Sequence, residues 1–255
     1  MDWRANLEAV WALVRRAANE LLRVPGAAIP GVLAPTIFFL GLTSVFGALV
    51  DLPGFGGEYQ DWLIAVSLLQ GAGFTGAATG VNLARDIEQG WFDRLLVSPA
   101  PRPVILAGLV TSAALRSLIP AAFLLAVGFA IGVNWPGLDG LVIALFLVMG
   151  MGTIAACWGT LLALRYRSQS AAPLMQAGML LLVLTTTAYA PLELLTGWLH
   201  TVARYNPVTQ ILEAARQGFI GSVTWGDTWP GLLALAGLLA VLSALALRGM
   251  RRTAV

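Results

Sequence analysis

Lysine is missing from this chain of 255 residues: all fifteen of its basic residues are arginine. A phosphate-binding loop of the GxxxxGK[ST] type needs its lysine to reach the phosphates, so these residues hold no ATPase of that kind. A lysine Schiff base is excluded by the same absence. Cys157 and His200 are each the single residue of their type. No intrachain disulfide and no multi-cysteine metal centre can form, and one His with one Cys cannot furnish a dedicated zinc site. Cys157 lies in an apolar run, where it is expected to pack as a small hydrophobe. Charge is scarce as well: Asp, Glu and Arg make up 11% of the chain, against about 25% in soluble proteins. Such a chain cannot cover a water-facing surface, and its 58% hydrophobic content marks an integral membrane protein. Basic patches interleaved with aromatics are lacking, which sets nucleic-acid binding aside. Met1–Arg23 mixes arginine with apolar residues and lacks the continuous apolar core of a cleavable secretory signal.

What the chain has instead is six apolar runs, at 28–50, 62–84, 103–131, 140–164, 168–192 and 228–247. Each reaches across about 30 Å of hydrocarbon as a helix. The predicted fold is all-α, a single polytopic membrane domain over 1–255 with six transmembrane helices. Pro30 and Pro35 predict a kink near the start of the first run, tolerable in lipid. Asp51–Asp61 reads as a short acidic loop. The second run carries Gly76-xxx-Gly80, a small face for close helix packing. Arg116 and Pro120 interrupt the third; a cation at that depth costs roughly 2.5–3.5 kcal/mol, so it must face protein, water or an acid. Thr185–Thr187 in the fifth are expected to bond back to their own helix. Ahead of the runs, Trp3, Leu7, Val10, Val14, Ala17 and Leu21 recur at steps of three and four. They predict an amphipathic helix lying in the membrane interface over 1–26, turned into the first span by Pro25 and Gly26.

Six spans put both termini on one side. Twelve of the fifteen arginines fall on that side and only Arg204 and Arg216 on the other, with Arg116 inside a span. The positive-inside rule then places both termini in the cytoplasm and the chain in the cell (inner) membrane.

Between the second and third runs lies a charged island, residues 84–103, ARDIEQGWFDRLLVSPAPRP. Asp86–Val97 can form a short amphipathic helix, with Trp91, Leu95 and Leu96 on one side. Gly90 weakens that helix by about 1 kcal/mol, and Pro99, Pro101 and Pro103 end it and stiffen the return to the membrane. The run D-x-E-x-G-x-x-D-R-L-L-x-S-P, followed by an apolar helix carrying Arg116, resembles the type-two membrane-domain family of ATP-binding-cassette transporters, and within it the daunorubicin-resistance permeases.

The resemblance implies that 84–103 is a cytoplasmic coupling helix docking on a separate ATPase subunit. The match maps the family's residues onto Glu88, Gly90, Asp93, Arg94, Leu95 and Pro99, and Asp86, Trp91 and Leu96 complete the expected coupling residues. It further implies two copies of that ATPase, which would hold ATP and magnesium, with no cofactor or metal site and no catalytic residue in this chain. A second permease copy or a related permease, and membrane lipids, complete the expected partners. Residues 193–227 are too polar to span yet keep apolar anchors. Asn206-Pro207 is a helix start, with asparagine as cap and proline in the first turn, and Gly218 and Gly221 are expected to end that helix. Leu194–Arg204 can form a second short helix with Trp198 at the interface. In the family such short helices carry an N-P-x-T motif, lie outside, re-enter part-way and cap the translocation path. Asn206, Pro207 and Thr209 match that motif, and Glu213 and Arg216 follow on its helix. Arg116 is a family feature whose role stays open: it contacts an anionic substrate group or lipid phosphate, acts as a switch, or simply bonds helix-end carbonyls or a nearby acid. The function implied is export of a hydrophobic or amphipathic substrate, a drug, lipid or lipid-linked molecule. Two alternatives stand beside it. An intramembrane enzyme would have only Asp86, Glu88 and Asp93 as an acid cluster, without a repeated D-x-x-D spacing. A passive channel would work without any ATPase.

Overall fold

A computed structural model describes residues 3–23, 29–47, 58–98 and 100–252. Among these the chain forms ten α-helices and no strand: α1 (Trp3–Arg23), α2 (Ile29–Phe46), α3 (Tyr59–Glu88), α4 (Trp91–Val97), α5 (Arg102–Ala130), α6 (Gly137–Tyr166), α7 (Ala172–Leu184), α8 (Gly197–Tyr205), α9 (Pro207–Ile220) and α10 (Trp225–Arg252). Pro25, Gly26, Pro99, both ends of the run 28–50 and most of the acidic loop lie outside the described residues.

The bundle is built around α3. It contacts α2, α5, α6, α7 and α9 and is the most enclosed of the long helices. Its tightest partner is α6, and the Gly76-xxx-Gly80 face is the reason. A Cβ on Gly76 would lie 2.3 Å from the Gly152 carbonyl oxygen, and one on Gly80 would lie 2.3 Å from the Gly159 carbonyl carbon. Without a side chain at these positions the two backbones touch, which is how helices associate where no hydrophobic force drives them together.

Among the described residues four helices are long and apolar enough to cross a membrane: α3, α5, α6 and α10. The runs 28–50 and 168–192 give shorter apolar helices. The fifth run departs most from expectation. It opens with a 3-10 turn at Gln169–Ala171, and α7 then spans only 13 residues. Thr185 and Thr186 do bond back to the Leu181 and Val183 carbonyls, but the helix stops there, and Thr187 and the carbonyls beyond it have partners elsewhere. Asp61, expected in a loop, sits fully buried in the first turn of α3, accepting hydrogen bonds from the Asn134 backbone (2.7 Å) and side chain (2.6 Å). Gly218 does not end its helix; it lies inside α9, pressed against Gly140 of α6, and Gly221 is the cap.

The island 84–103 also differs from its predicted form. One helix over 86–97 does not form. Asp86 and Glu88 belong to the end of α3, the chain breaks at Gln89–Gly90, and α4 starts afresh at Trp91. Gly90 adopts φ +70°, the left-handed region where glycine carries no Cβ penalty. It is therefore the elbow of the segment and not a weak point within a helix.

Candidate functional site

Of the eight described residues expected at the coupling segment, some are held against the bundle and others are left unheld. Asp86, at the end of α3, accepts a charge-assisted bond from Arg16 of α1 at 2.7 Å. The Arg16 guanidinium also lies 3.6 Å above the Trp91 ring, so one cation ties α1 to both arms of the elbow. Glu88 accepts three hydrogen bonds from the turn before α7: Ser168 Oγ (2.8 Å), Gln169 N (2.9 Å) and Gln169 Nε2 (2.6 Å). Leu95 and Leu96 pack on the core beside the fully buried Phe92. Asp93 and Arg94 are exposed, with Arg167 4.0 Å from Asp93, and Val97 is 75% exposed. The first set fixes the elbow to the bundle; Asp93, Arg94 and Val97 are the exposed residues of α4. Pro99 lies outside the described residues. Arg16, Ser168 and Gln169 were not singled out in the sequence, since nothing local links them to residues about eighty positions away.

At the other end of the bundle, α9 carries a second polar centre. Asn206 caps two helices at once. Its side-chain oxygen accepts from Val208 N at 2.9 Å, starting α9, and its amide donates to the Leu182 carbonyl at 2.9 Å, finishing α7. Pro207 follows as the first helical residue, where its missing N–H is harmless. Thr209 Oγ1 donates to the Ala203 carbonyl at 2.7 Å and closes α8 onto α9.

Among the described residues Arg216 is the largest wholly buried side chain, at 0% exposure. Its Nε donates to the Trp62 carbonyl (3.1 Å), one terminal nitrogen to Glu213 (3.0 Å), and the other to the Thr187 carbonyl (2.9 Å). Its plane stacks 3.7 Å above the Trp62 ring. The Thr187 hydroxyl donates to the same Glu213 oxygen. A buried guanidinium is tolerable only with its donors satisfied, and here they tie α9 to the start of α3 and the chain beyond α7. Beside it, Tyr59 donates to the Tyr189 carbonyl (3.1 Å) and Gln70 to the Tyr189 hydroxyl (2.9 Å). Trp62, Tyr189 and Thr187 were missed because their role depends on packing that no local pattern encodes.

Arg116 joins neither centre. Partly buried on α5, it donates to Thr79 Oγ1 of α3 at 2.7 Å and to the Ser112 carbonyl of its own helix at 3.3 Å. It faces protein, as its depth requires.

Residues 8–220, from the first turns of α1 to the end of α9, match the ABC-2 type transporter family. The chain belongs to the ABC-2 type transporter family. It is 26% identical over 247 residues to the Daunorubicin resistance ABC transporter permease protein DrrB1 of Streptomyces coeruleorubidus, covering 96% of this chain and 85% of the relative. It is 25% identical over 183 residues to the Probable multidrug ABC transporter permease YbhR of Escherichia coli (strain K12), covering 69% of this chain and 49% of that protein. This ABC-2 chain is thus a multi-pass membrane protein and a membrane subunit of an ABC transporter, a class that works with an ATPase subunit. Both polar centres fall within the matched residues.

Proposed function

We propose that this chain is the permease of an ABC exporter that moves a hydrophobic or amphipathic substrate, driven by two copies of a separate ATPase that hold ATP and magnesium. A second copy of the chain, or a related permease, lines the path with it. Both termini and the elbow face the cytoplasm, and α8 and α9 lie outside, re-entering part-way. One observation carries the reading. The helix α3 holds Asp86 and Glu88 of the elbow at one end and, at the other, Trp62, which Arg216 grips. Closure of the ATPases would press on Asp93, Arg94 and Val97, swing α4 about Gly90, and pass through Arg16 and Glu88 into α3. The Arg216 centre would register that displacement as a change in the packing of α9 on α3. The permease contributes differential affinity between two such states and no bond chemistry. The relative named for daunorubicin resistance and the one named for multidrug transport support an amphipathic cargo.

Co-expression with the ATPase, followed by reconstitution, tests this. Arg94→Glu is expected to leave insertion and yield unchanged while cutting ATP-dependent transport at least about tenfold, the loss of a coupling free energy near 1.4 kcal/mol. Unaltered transport by that variant in a fully assembled complex, or transport by the purified chain alone, overturns the reading.

A further inference from the structure

A groove of about 600 Å³ opens between α1 and the elbow end of α3. Its polar walls are Arg15, Arg16, Asn19, Glu20 and Arg23 of α1 and Arg85 of α3. Arg16 is neutralised by Asp86. That leaves Arg15, Arg23 and Arg85 facing Glu20 alone. All three arginines are exposed, and none makes an ion pair among the described residues. Cations gathered from two helices around one concavity repel one another, and a bound anion reverses the sign of that interaction. Arginine, with its planar fork of donors, matches phosphate oxygens in particular.

The neighbouring surface indicates what carries the phosphate. Beside the cationic stripe, α1 exposes Trp3 (65%), Leu7 (57%) and Trp11 (57%) to the surroundings, and Arg15 follows Trp11 by one turn. Elsewhere on α1, Leu13 is seated over Gly108 of α5 and anchors the helix to the bundle. An apolar stripe bordered by a cationic groove fits an amphiphile whose tail lies on the first and whose head enters the second. We propose that the groove between α1 and α3 binds the phosphate headgroup of an anionic phospholipid, held by Arg15, Arg23 and Arg85, with the acyl chains beside Leu7 and Trp11. Bound there, the lipid bridges α1 to the helix that carries the elbow. The inference requires only that the chain lies in a membrane. It stands or falls separately from the ATPase-driven reading.

The test uses the full chain, reconstituted in nanodiscs of phosphatidylcholine with and without phosphatidylglycerol. The protein is then washed in detergent, and the lipid it retains is measured by mass spectrometry. Wild type is expected to retain phosphatidylglycerol over phosphatidylcholine. Each single change, R15Q, R23Q or R85Q, should weaken retention about fivefold, and the three together about a hundredfold. The triple lysine variant should keep only part of it, since charge survives and the planar fork does not. A triple variant that elutes as aggregate is replaced by R85Q alone, expected to remain folded with the fivefold loss. Equal loss in R248Q/R251Q/R252Q would show diffuse attraction and overturn the site. Displacement of the lipid by inorganic phosphate would show a free-anion site and overturn the lipid assignment. So would unchanged retention in the triple glutamine variant.

Discussion

Arg216 shows how a single residue is held at depth. Its guanidinium spends its donors on two helices and the chain after a third, and it is stacked on Trp62 besides. Truncation strands the carbonyls of Trp62 and Thr187 together with the Glu213 carboxylate. Arg216→Met is expected to destabilise the protein by about 3 kcal/mol, read as a fall in the thermal midpoint of the detergent-solubilised chain. Arg216→Lys should recover less than half of that loss, because one ammonium cannot reach donors spread over a planar fork. Full recovery by lysine would mean that charge alone, and not the fork geometry, holds α9. Asn206 works differently. It was legible in the sequence as a cap, because capping is settled within three residues. Its second bond, to Leu182, depends on where α7 ends and was not.

Among the elements, contact between α3 and α6 depends on what glycine omits. Gly80→Ala would place a methyl 2.3 Å from the Gly159 carbonyl carbon, and that backbone cannot yield as a side chain would. We expect about 2 kcal/mol of destabilisation, outweighing alanine's better helix propensity. Gly41→Ala in α2 meets nothing within 4 Å and should be neutral or stabilising by up to about 1 kcal/mol. Thermal scans of the two variants side by side check the contrast. The elbow between α3 and α4 calls for a different experiment. A Cβ on Gly90 has open space around it, but the residue sits at φ +70°. Gly90→Ala should therefore cost about 1–2 kcal/mol by backbone strain and not by clash. The variant should stay folded while ATP-dependent transport falls; a change in stability with transport untouched would separate the elbow from coupling.

At the scale of the whole molecule, the arrangement in the membrane can be checked with the chain's own chemistry. Cys157 is fully buried, 3.5 Å from Ser243 Oγ, so a Cys157→Ser background should fold and offers no competing thiol. In that background Val97→Cys is expected to label in inside-out vesicles and not in intact cells, and Trp198→Cys, on exposed α8, the reverse. The same side for both thiols would contradict the topology drawn from the arginine count. α1 is the other large-scale feature. It is held by Arg16 on one side and exposes tryptophans on another.

Composition and spacing were enough to establish a lysine-free, helical membrane protein, its four long helices, the glycine face of α3, the Asn-Pro helix start and the charged island with its family likeness. Each of these is decided by residues a few positions apart, or by the solvent a segment must face. The island's division into inward and outward residues, the break at Gly90 and the shortness of α7 came from packing between segments distant in the chain. Arg16 finds Asp86 across 70 positions and Arg216 finds Trp62 across 154. A charge or a carbonyl carries no local mark of its eventual partner: which one it meets depends on how closely the helices around α3 approach, and that follows from the assembled core.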